Sequence, residues 1–326
     1  MPFTKLITSL AVPAALIMAP GLSGAQAQNY PTRPVTIIVP APAGGGIDLI
    51  ARVVGEKLAV KLGQPFIVEN RPGASNNLGT AVLANAKPDG YTIGIVGGSH
   101  NINKYLFKNL GWDPEKSFEP IVYTHVIPLV FAVNPKIPAK SVPELVNWMK
   151  ANPGEAKVAT SGRGSAQEMA AEMFRMVSGA NMLLIPYKGS SAAHPDLVAG
   201  RTVLFIDTIS AIQEQIKAGN VRALAVSTRN RSRALPNVST AEEQGLKGYD
   251  ANTNGGFLAP AGTPKEIVAR LNTEINAALK LPEVRAKLEA AGIEVQGGTP
   301  QDYAALIKSD LAKWGKVVKE AGIQQE

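Results

Sequence analysis

Gly44, Gly45 and Gly46 stand between a run of β-branched residues, Val35, Thr36, Ile37, Ile38 and Val39, and an amphipathic helical pattern that opens at Asp48. Leu49, Val53 and Leu58 share one face of that helix, and Gly63 is its stop. Strand, glycine turn and helix start in that order leave backbone N–H groups with no side chain in front of them. The positive end of the helix dipole lies beside those groups, so the turn is a place for an anion, most simply a carboxylate or phosphate. The same stretch also fits a tight turn that binds nothing. Pro40 and Pro42 close the strand just before it.

The pattern recurs. Val96 is followed by Gly97-Gly98-Ser99-His100, Thr160 by Ser161-Gly162-Arg163-Gly164-Ser165-Ala166-Gln167, and Pro186 by Tyr187-Lys188-Gly189-Ser190. Each turn sits at the carboxyl end of a strand, where open parallel sheets bind their ligands. This recurrence favours binding over the bare-turn reading.

Among the polar side chains, Arg163 is either a forked carboxylate contact or a solvated loop arginine. Glu168 either complements a helix dipole or meets a ligand amine, and the dipole is the simpler reading. Asp48 reads as the N-cap of its helix ahead of a ligand contact. His100 donates to a solute or caps a helix; Asp207 binds a ligand donor or braces its loop. Lys188 reads as a structural or surface lysine. His125 and His194 lack neighbours at metal-ligand spacing, so no metal site is expected.

The elements that must hold these turns alternate between strand and helix. Strand patterns cover 66–69, 91–96, 121–125, 129–133, 157–160, 183–186, 203–206, 221–227 and 255–259. Helical patterns cover 101–106, 141–151, 168–177, 190–198, 264–279, 283–291 and 300–321. Ser141 with Glu144 forms a capping-box signature. Alternation of this kind is an α/β fold with largely parallel sheets. Two sets of about five strands fit two sheets with a cleft between them. The three helices at the end of the chain would cover the first domain and its junction.

Residues 1–27 combine Lys5, an apolar run from Leu6 to Ala19 and Ala25-Gln26-Ala27, the pattern of a cleaved secretory signal peptide. An uncleaved anchor is the alternative, but Pro20-Gly21 before the cleavage site favours removal. Cleavage leaves 299 residues, enough for about two domains. There is no cysteine, hence no disulfide, no thiol nucleophile and no lipid anchor on a thiol. The net charge is +7, with basic residues scattered among acidic ones and no basic run interleaved with aromatics. Nucleic acid is therefore not an expected partner. The glycine turn carries neither G-x-G-x-x-G nor a following G-K-[ST], and G-x-S-x-G is absent, so an enzyme is disfavoured and no cofactor is expected.

A set of short motifs occurs in order along the chain: P-A-P-A-G-G-G-I-D, V-E-N-R-P-G-A, K-P-D-G-Y-T, P-Y-K-G-S, I-K-A-G-N-V-R-A-L-A-V, L-A-P-A-G-T-P and W-G-K-V-V-K-E-A-G-I. In this the chain resembles the substrate-binding proteins of tripartite tricarboxylate transporters, the Bordetella uptake-gene family, over essentially all of its mature length. The resemblance implies a monomeric, two-domain periplasmic binding protein of type II-like architecture. Such a protein closes on a small organic anion, usually a carboxylate, and hands it to the permease subunits of its transporter. A sensor that docks on a receptor is the alternative use of the same closed form. The resemblance also implies domain 1 as 28–125 plus 252–326 and domain 2 as 126–251.

Carried over by position, it places the ligand carboxylate on Ala43, Gly44, Gly45, Gly46, Ile47 and Asp48, with Ser99 and His100 as a second wall. Domain 2 is expected to add Ser161, Arg163, Gly164, Ser165, Ala166, Gln167, Glu168, Tyr187, Lys188 and Asp207. Departures from the family pattern are Ile47 for threonine, Arg163 for asparagine, Glu168 for histidine, and Asn254-Gly255 for a Trp-Phe pair. Asn254 thereby joins the expected site. Loss of two aromatics is expected to enlarge the pocket toward an aromatic or bulky carboxylate.

Overall fold

A computed structural model describes residue 1 and residues 29–325; the signal-peptide reading falls on residues outside these. The first strand, β1 (Val35–Val39), is the β-branched run and is buried almost throughout. It lies between β2 (Phe66–Asn70) and β3 (Thr92–Val96), parallel to both. Helix α1 (Gly46–Leu62) follows the glycine turn and ends at Gly63, whose N–H returns to the Ala59 carbonyl. Helices α2 (Asn77–Ala84) and α3 (Ser99–Leu106) follow β2 and β3.

The next strand joins two sheets. β4 (Phe118–Val133) is 16 residues long, where the pattern predicts two shorter strands. Pro120, Pro128 and two register shifts interrupt its alternation, which is why it reads as broken. Its first part pairs antiparallel with β9 (Asn252–Pro260), which pairs with β3, and with the two-residue β10 (Glu294–Val295). Its last part, from Leu129, pairs antiparallel with β7 (Leu204–Thr208) and β8 (Arg222–Val226). Beyond β7 come β5 (Lys157–Thr160) and β6 (Leu183–Pro186), parallel to one another and to β7. The parallel expectation thus holds for the flanks β2-β1-β3 and β7-β5-β6, while the shared centre is antiparallel.

The second lobe carries α4 (Val142–Ala151), α5 (Ala166–Ser178), α6 (Ser190–Ala199) and α7 (Ile209–Lys217). The predicted Ser141 cap is present: its Oγ accepts from the Glu144 N–H at 3.3 Å. Neither α2 nor α7 is legible in the pattern, and Asp207 lies inside β7 rather than just beyond its end. Where the chain returns, Ser227 ties the two crossings together. Its Oγ accepts from the Leu129 N–H at 2.9 Å and donates to the Ala251 carbonyl.

The chain ends in α8 (Lys265–Lys280), α9 (Pro282–Ala290) and α10 (Pro300–Glu320). Helix α8 and α9 complete the first lobe's core with Ile267, Leu271, Ile275, Val284 and Leu288 against Ile37, Ile93 and Phe257. Helix α10 does more than cover the junction. Tyr303, Ile307 and Leu311 pack with Leu83, Val96, Trp112 and Phe118 of the first lobe. Trp314, Val317 and Val318, one to two turns on, join the second lobe's core with Phe131, Phe174 and Tyr249. Among the described residues, no helix is long and apolar enough to cross a membrane.

Candidate functional site

The turn before α1 is built by its own lobe. Gly45 is the N-cap residue and has no side chain to cap with. Asp48, in the first turn rather than at the cap, takes over that role. One of its carboxylate oxygens accepts from the Gly44 N–H at 2.9 Å and Arg52 Nε at 3.0 Å. The other accepts from a second Arg52 nitrogen at 3.0 Å and from Asn70 Nδ2 at 2.9 Å. Burial disfavours the charge of Asp48, yet the bonds from Arg52, Gly44 and Asn70 together hold its carboxyl below the ordinary range. Asp48 is therefore an anionic brace, with both oxygens committed inside the lobe. Gly46 seats the helix start on the shared strand, since a Cβ there would lie 2.6 Å from Ile127 Cδ1.

The end of β3 is the floor. The Gly98 N–H donates to Thr253 Oγ1 at 3.1 Å. A Cβ built on Gly97 would lie 3.6 Å from Ile47 Cγ2, and one on Gly98 would lie 3.5 Å from Ala166 Cβ. The start of α1 and the start of α5, from opposite lobes, thus flank the same two glycines. Ser99 opens α3, and its Oγ accepts from Asn76 Nδ2 at 2.8 Å.

The second helix start has a true cap. Ser165 Oγ accepts from the Glu168 N–H at 3.1 Å, and Glu168 Oε2 accepts from the Gly164 N–H at 2.8 Å. Both helix starts leave first-turn N–H groups directed out of their helices, with the positive ends of two dipoles behind them. The arrangement offers an elongated anion a donor cluster at each end.

Asp207 supports this half of the cleft from behind. It is fully buried and accepts from Gln167 Nε2 (3.1 Å), Ser190 Oγ (2.6 Å) and the Thr208 N–H (2.8 Å), and it pairs with His194 Nε2 at 2.8 Å. It therefore joins β7 to the starts of α5 and α6 as a brace, one of the two roles its sequence position allowed.

Several expected site residues point elsewhere. His100 is 3 % exposed, stacked on Trp112 at 5.0 Å and edge-on to Phe118, with Nε2 3.4 Å from the Pro114 carbonyl. Burial pushes its pKa down to about 4. It is a core ring of the first lobe, not a cleft wall, because α3 turns that position inward one residue after Ser99. The Tyr187 hydroxyl donates to Asp196 at 2.6 Å; burial and that bond raise its pKa to about 12. Lys188 is exposed on the same turn. The Arg163 guanidinium reaches the Gln324 carbonyl at the end of the chain, so in this arrangement it serves the tail.

Asn254 and Gly255 do not enlarge the cleft. The Asn254 side chain is buried and bonds Asn252 and Asp310 on the α10 side. A Cβ on Gly255 would lie 1.9 Å from the Val96 carbonyl oxygen. It is Thr253, on the opposite face of β9, that meets the floor. These two positions therefore give an aromatic ligand no extra room.

Sequence reading missed Thr253, which bonds Gly98 of the floor, and Ser75, Asn76 and Asn103, whose bonds join the 70–79 loop to α3 and to the Arg163 turn. Only the loop carries a signal, a polar stretch with asparagines just before a helix. A separate cavity of about 110 Å³ lies behind the shared strand, beside Arg233, Arg285, Glu289 and Glu294. Glu289 there pairs with both arginines. Among the described residues no cluster of His, Cys, Asp or Glu has the makings of a metal site.

The fold and sequence have clear relatives. A solved periplasmic binding protein, BugD, is 34 % identical, superposes with a TM-score of 0.82, and covers 91 % of this chain and all of its own. Rpa4515 of R. palustris, solved with adipate, is 36 % identical with a TM-score of 0.84 and the same coverage. MatC of Rhodopseudomonas palustris, solved with malate, is 30 % identical with a TM-score of 0.80, covering 89 % of this chain and all of that one. Residues 50–323 match the family described as the tripartite tricarboxylate transporter family receptor. With that match over most of its length and these neighbours, the chain belongs to the receptor family of tripartite tricarboxylate transporters.

Proposed function

We propose that this protein captures a small aliphatic dicarboxylate in the periplasm and delivers it, as a monomer, to the permease subunits of a tripartite transporter. The observation that carries the ligand class is the convergence of the α1 and α5 starts on Gly97-Gly98, one from each lobe. Each start binds one carboxylate through backbone N–H groups and a helix dipole. Neutral hydroxyls and amides at Ser99, Thr253, Ser161 and Gln167 fill the remaining ligand contacts. The adipate and malate held by the two solved relatives have this chemistry. Binding rather than turnover is the role, with domain boundaries at 125/126 and 251/252 and hinge closure between the lobes.

The test is thermal unfolding of residues 28–326 against aliphatic di- and tricarboxylates, acidic amino acids, and aromatic and pyridine carboxylates. The protein is unfolded and refolded first to strip any ligand that co-purifies. A ligand at about 100 times its Kd adds roughly 2.7 kcal/mol to the native state. That raises the midpoint by about 5 °C for a chain of this size. A rise confined to the aliphatic diacids is the expected result. A rise confined to aromatic acids, or none across the panel, contradicts the reading.

A further inference from the structure

The loop between β2 and α2 holds three successive non-glycine residues in the left-handed region: Ala74 (φ 45°), Ser75 (φ 54°) and Asn76 (φ 73°). Residues with a Cβ pay for that conformation, so a run of three persists only where its surroundings over-determine it. Here they do. Asn103 Nδ2 of α3 donates to the Ser75 carbonyl at 2.8 Å and to Asn77 Oδ1 at 2.7 Å, and Asn76 Nδ2 donates to Ser99 Oγ at 2.8 Å. Asn103 is itself buried. Three side-chain bonds within the first lobe therefore hold the run.

What the run accomplishes is to aim one hydroxyl across the cleft. Ser75 Oγ donates to the Arg163 carbonyl at 2.8 Å, a bond between lobes 88 residues apart in sequence. The next residue, Gly164, has φ +74°, and a Cβ on it would stand 2.7 Å from Asn103 Oδ1 and 3.5 Å from Ser75 Cβ. The Arg163 turn comes so close to α3, and in such a backbone conformation, that only glycine fits there. The Gly164 N–H meanwhile donates to Glu168 Oε2 and so forms part of the cap on α5. The bonded carbonyl and this N–H belong to the same peptide unit, so the Ser75 contact orients the turn that presents the second helix start.

We propose that Ser75 is a positioning residue for ligand retention, whose hydroxyl engages the Arg163 carbonyl on lobe closure and locks the second anion-binding turn in its gripping geometry. This rests on the two-lobe capture reading above. Because the acceptor is a backbone carbonyl, the lock is indifferent to the side chain at 163. Because the donor is prepositioned by the first lobe, it acts on release rather than on encounter.

The test is stopped-flow binding of adipate and of L-malate to wild type, Ser75→Ala and a control, Ser178→Ala, whose hydroxyl serves the Phe174 carbonyl at the far end of α5. One neutral hydrogen bond corresponds to a roughly 2- to 12-fold faster release for Ser75→Ala, with the association rate unchanged. An unchanged release rate, or slowed association, overturns the proposal while leaving capture intact. Should wild type bind neither acid, the capture reading loses its ligand class, and hydrogen exchange of the free protein decides the lock by itself. Faster exchange of the 161–165 amides in Ser75→Ala supports it, and identical exchange overturns it.

Discussion

The two helix starts that face each other across the cleft look alike in sequence and are built differently. The α1 start is braced wholly within its lobe, by an Asp48 carboxylate that gathers Gly44, Arg52 and Asn70. The α5 start has a local cap from Ser165 and Glu168, but its turn also takes a bond from Ser75 of the other lobe and one to the tail at Gln324. On the capture reading proposed above, the first start is the preformed jaw and the second the one that would complete its shape on closure. A binding protein gains from this asymmetry. On that reading the fixed jaw would supply a ready site for encounter, and the dependent jaw would make retention conditional on closure.

The largest effect is expected from removing the buried support of the dependent jaw. Asp207→Ala leaves Gln167, Ser190, His194 and the Thr208 N–H without their acceptor. At 1–3 kcal/mol for each buried group left unsatisfied, a loss of about 3 kcal/mol or more is expected by denaturant unfolding. Ligand affinity should fall with it. Asp48→Ala tests the fixed jaw. It should cost about 2–3 kcal/mol of stability, because charged hydrogen bonds are lost and Gly44 loses its acceptor. Association should slow in step. Faster release with association untouched would mean that the jaws have been assigned the wrong way round.

Acid sharpens the picture of the first lobe. The unfolded His100 imidazole takes a proton near 6.5, the folded one only near 4, so between those values the unfolded chain binds more protons. Stability is complete above about 6.5 and is lost as pH falls toward 4. At pH 5 the cost is on the order of 2 kcal/mol. His125, buried in β4 with a pKa near 3, contributes with the same sign. Replacing His100 by phenylalanine keeps a ring in the Trp112–Phe118 stack and should flatten part of the pH dependence of the unfolding midpoint between 6.5 and 4. An unaltered profile would show that this imidazole is already solvated.

The smallest effects belong to the rim of the dependent jaw. Glu168→Ala removes one cap on α5 and should cost about 1 kcal/mol. Arg163→Ala is expected to change affinity no more than Arg231→Ala, an exposed arginine paired with Glu243, when the two are compared by calorimetry. A large loss confined to Arg163→Ala would restore that guanidinium to the ligand.

Much of this was written in the chain. The β1 run, the glycine turn and the α1 pattern are local, so periodicity and glycine placement reveal them. The Ser141 helix start follows from capping chemistry for the same reason, whereas α5 begins at Ala166 under its Ser165 cap, two residues ahead of the pattern. β4 was not legible as one strand, because its two prolines and register shifts mark the passage between sheets, a tertiary fact. Short α2 and α7 carry too few periodic positions to stand out. At the site, the backbone donors were legible because glycine announces them. The side chains were less so: His100 and Ser99 are adjacent in sequence, and only the rotation of α3 decides which faces the cleft. Thr253 and Ser75 gain their roles from partners 155 and 88 residues away. No local pattern encodes such pairings.

If one anion is held at both ends by the two helix starts, backbone amide resonances will report it during titration with adipate, or with whichever acid gives the largest thermal shift. The amides of Gly45, Gly46 and Ile47 and those of Ala166 and Gln167 are expected to shift together and saturate with one Kd. Shifts at only one helix start, or at the Arg233–Arg285 cavity with both starts unmoved, would contradict it.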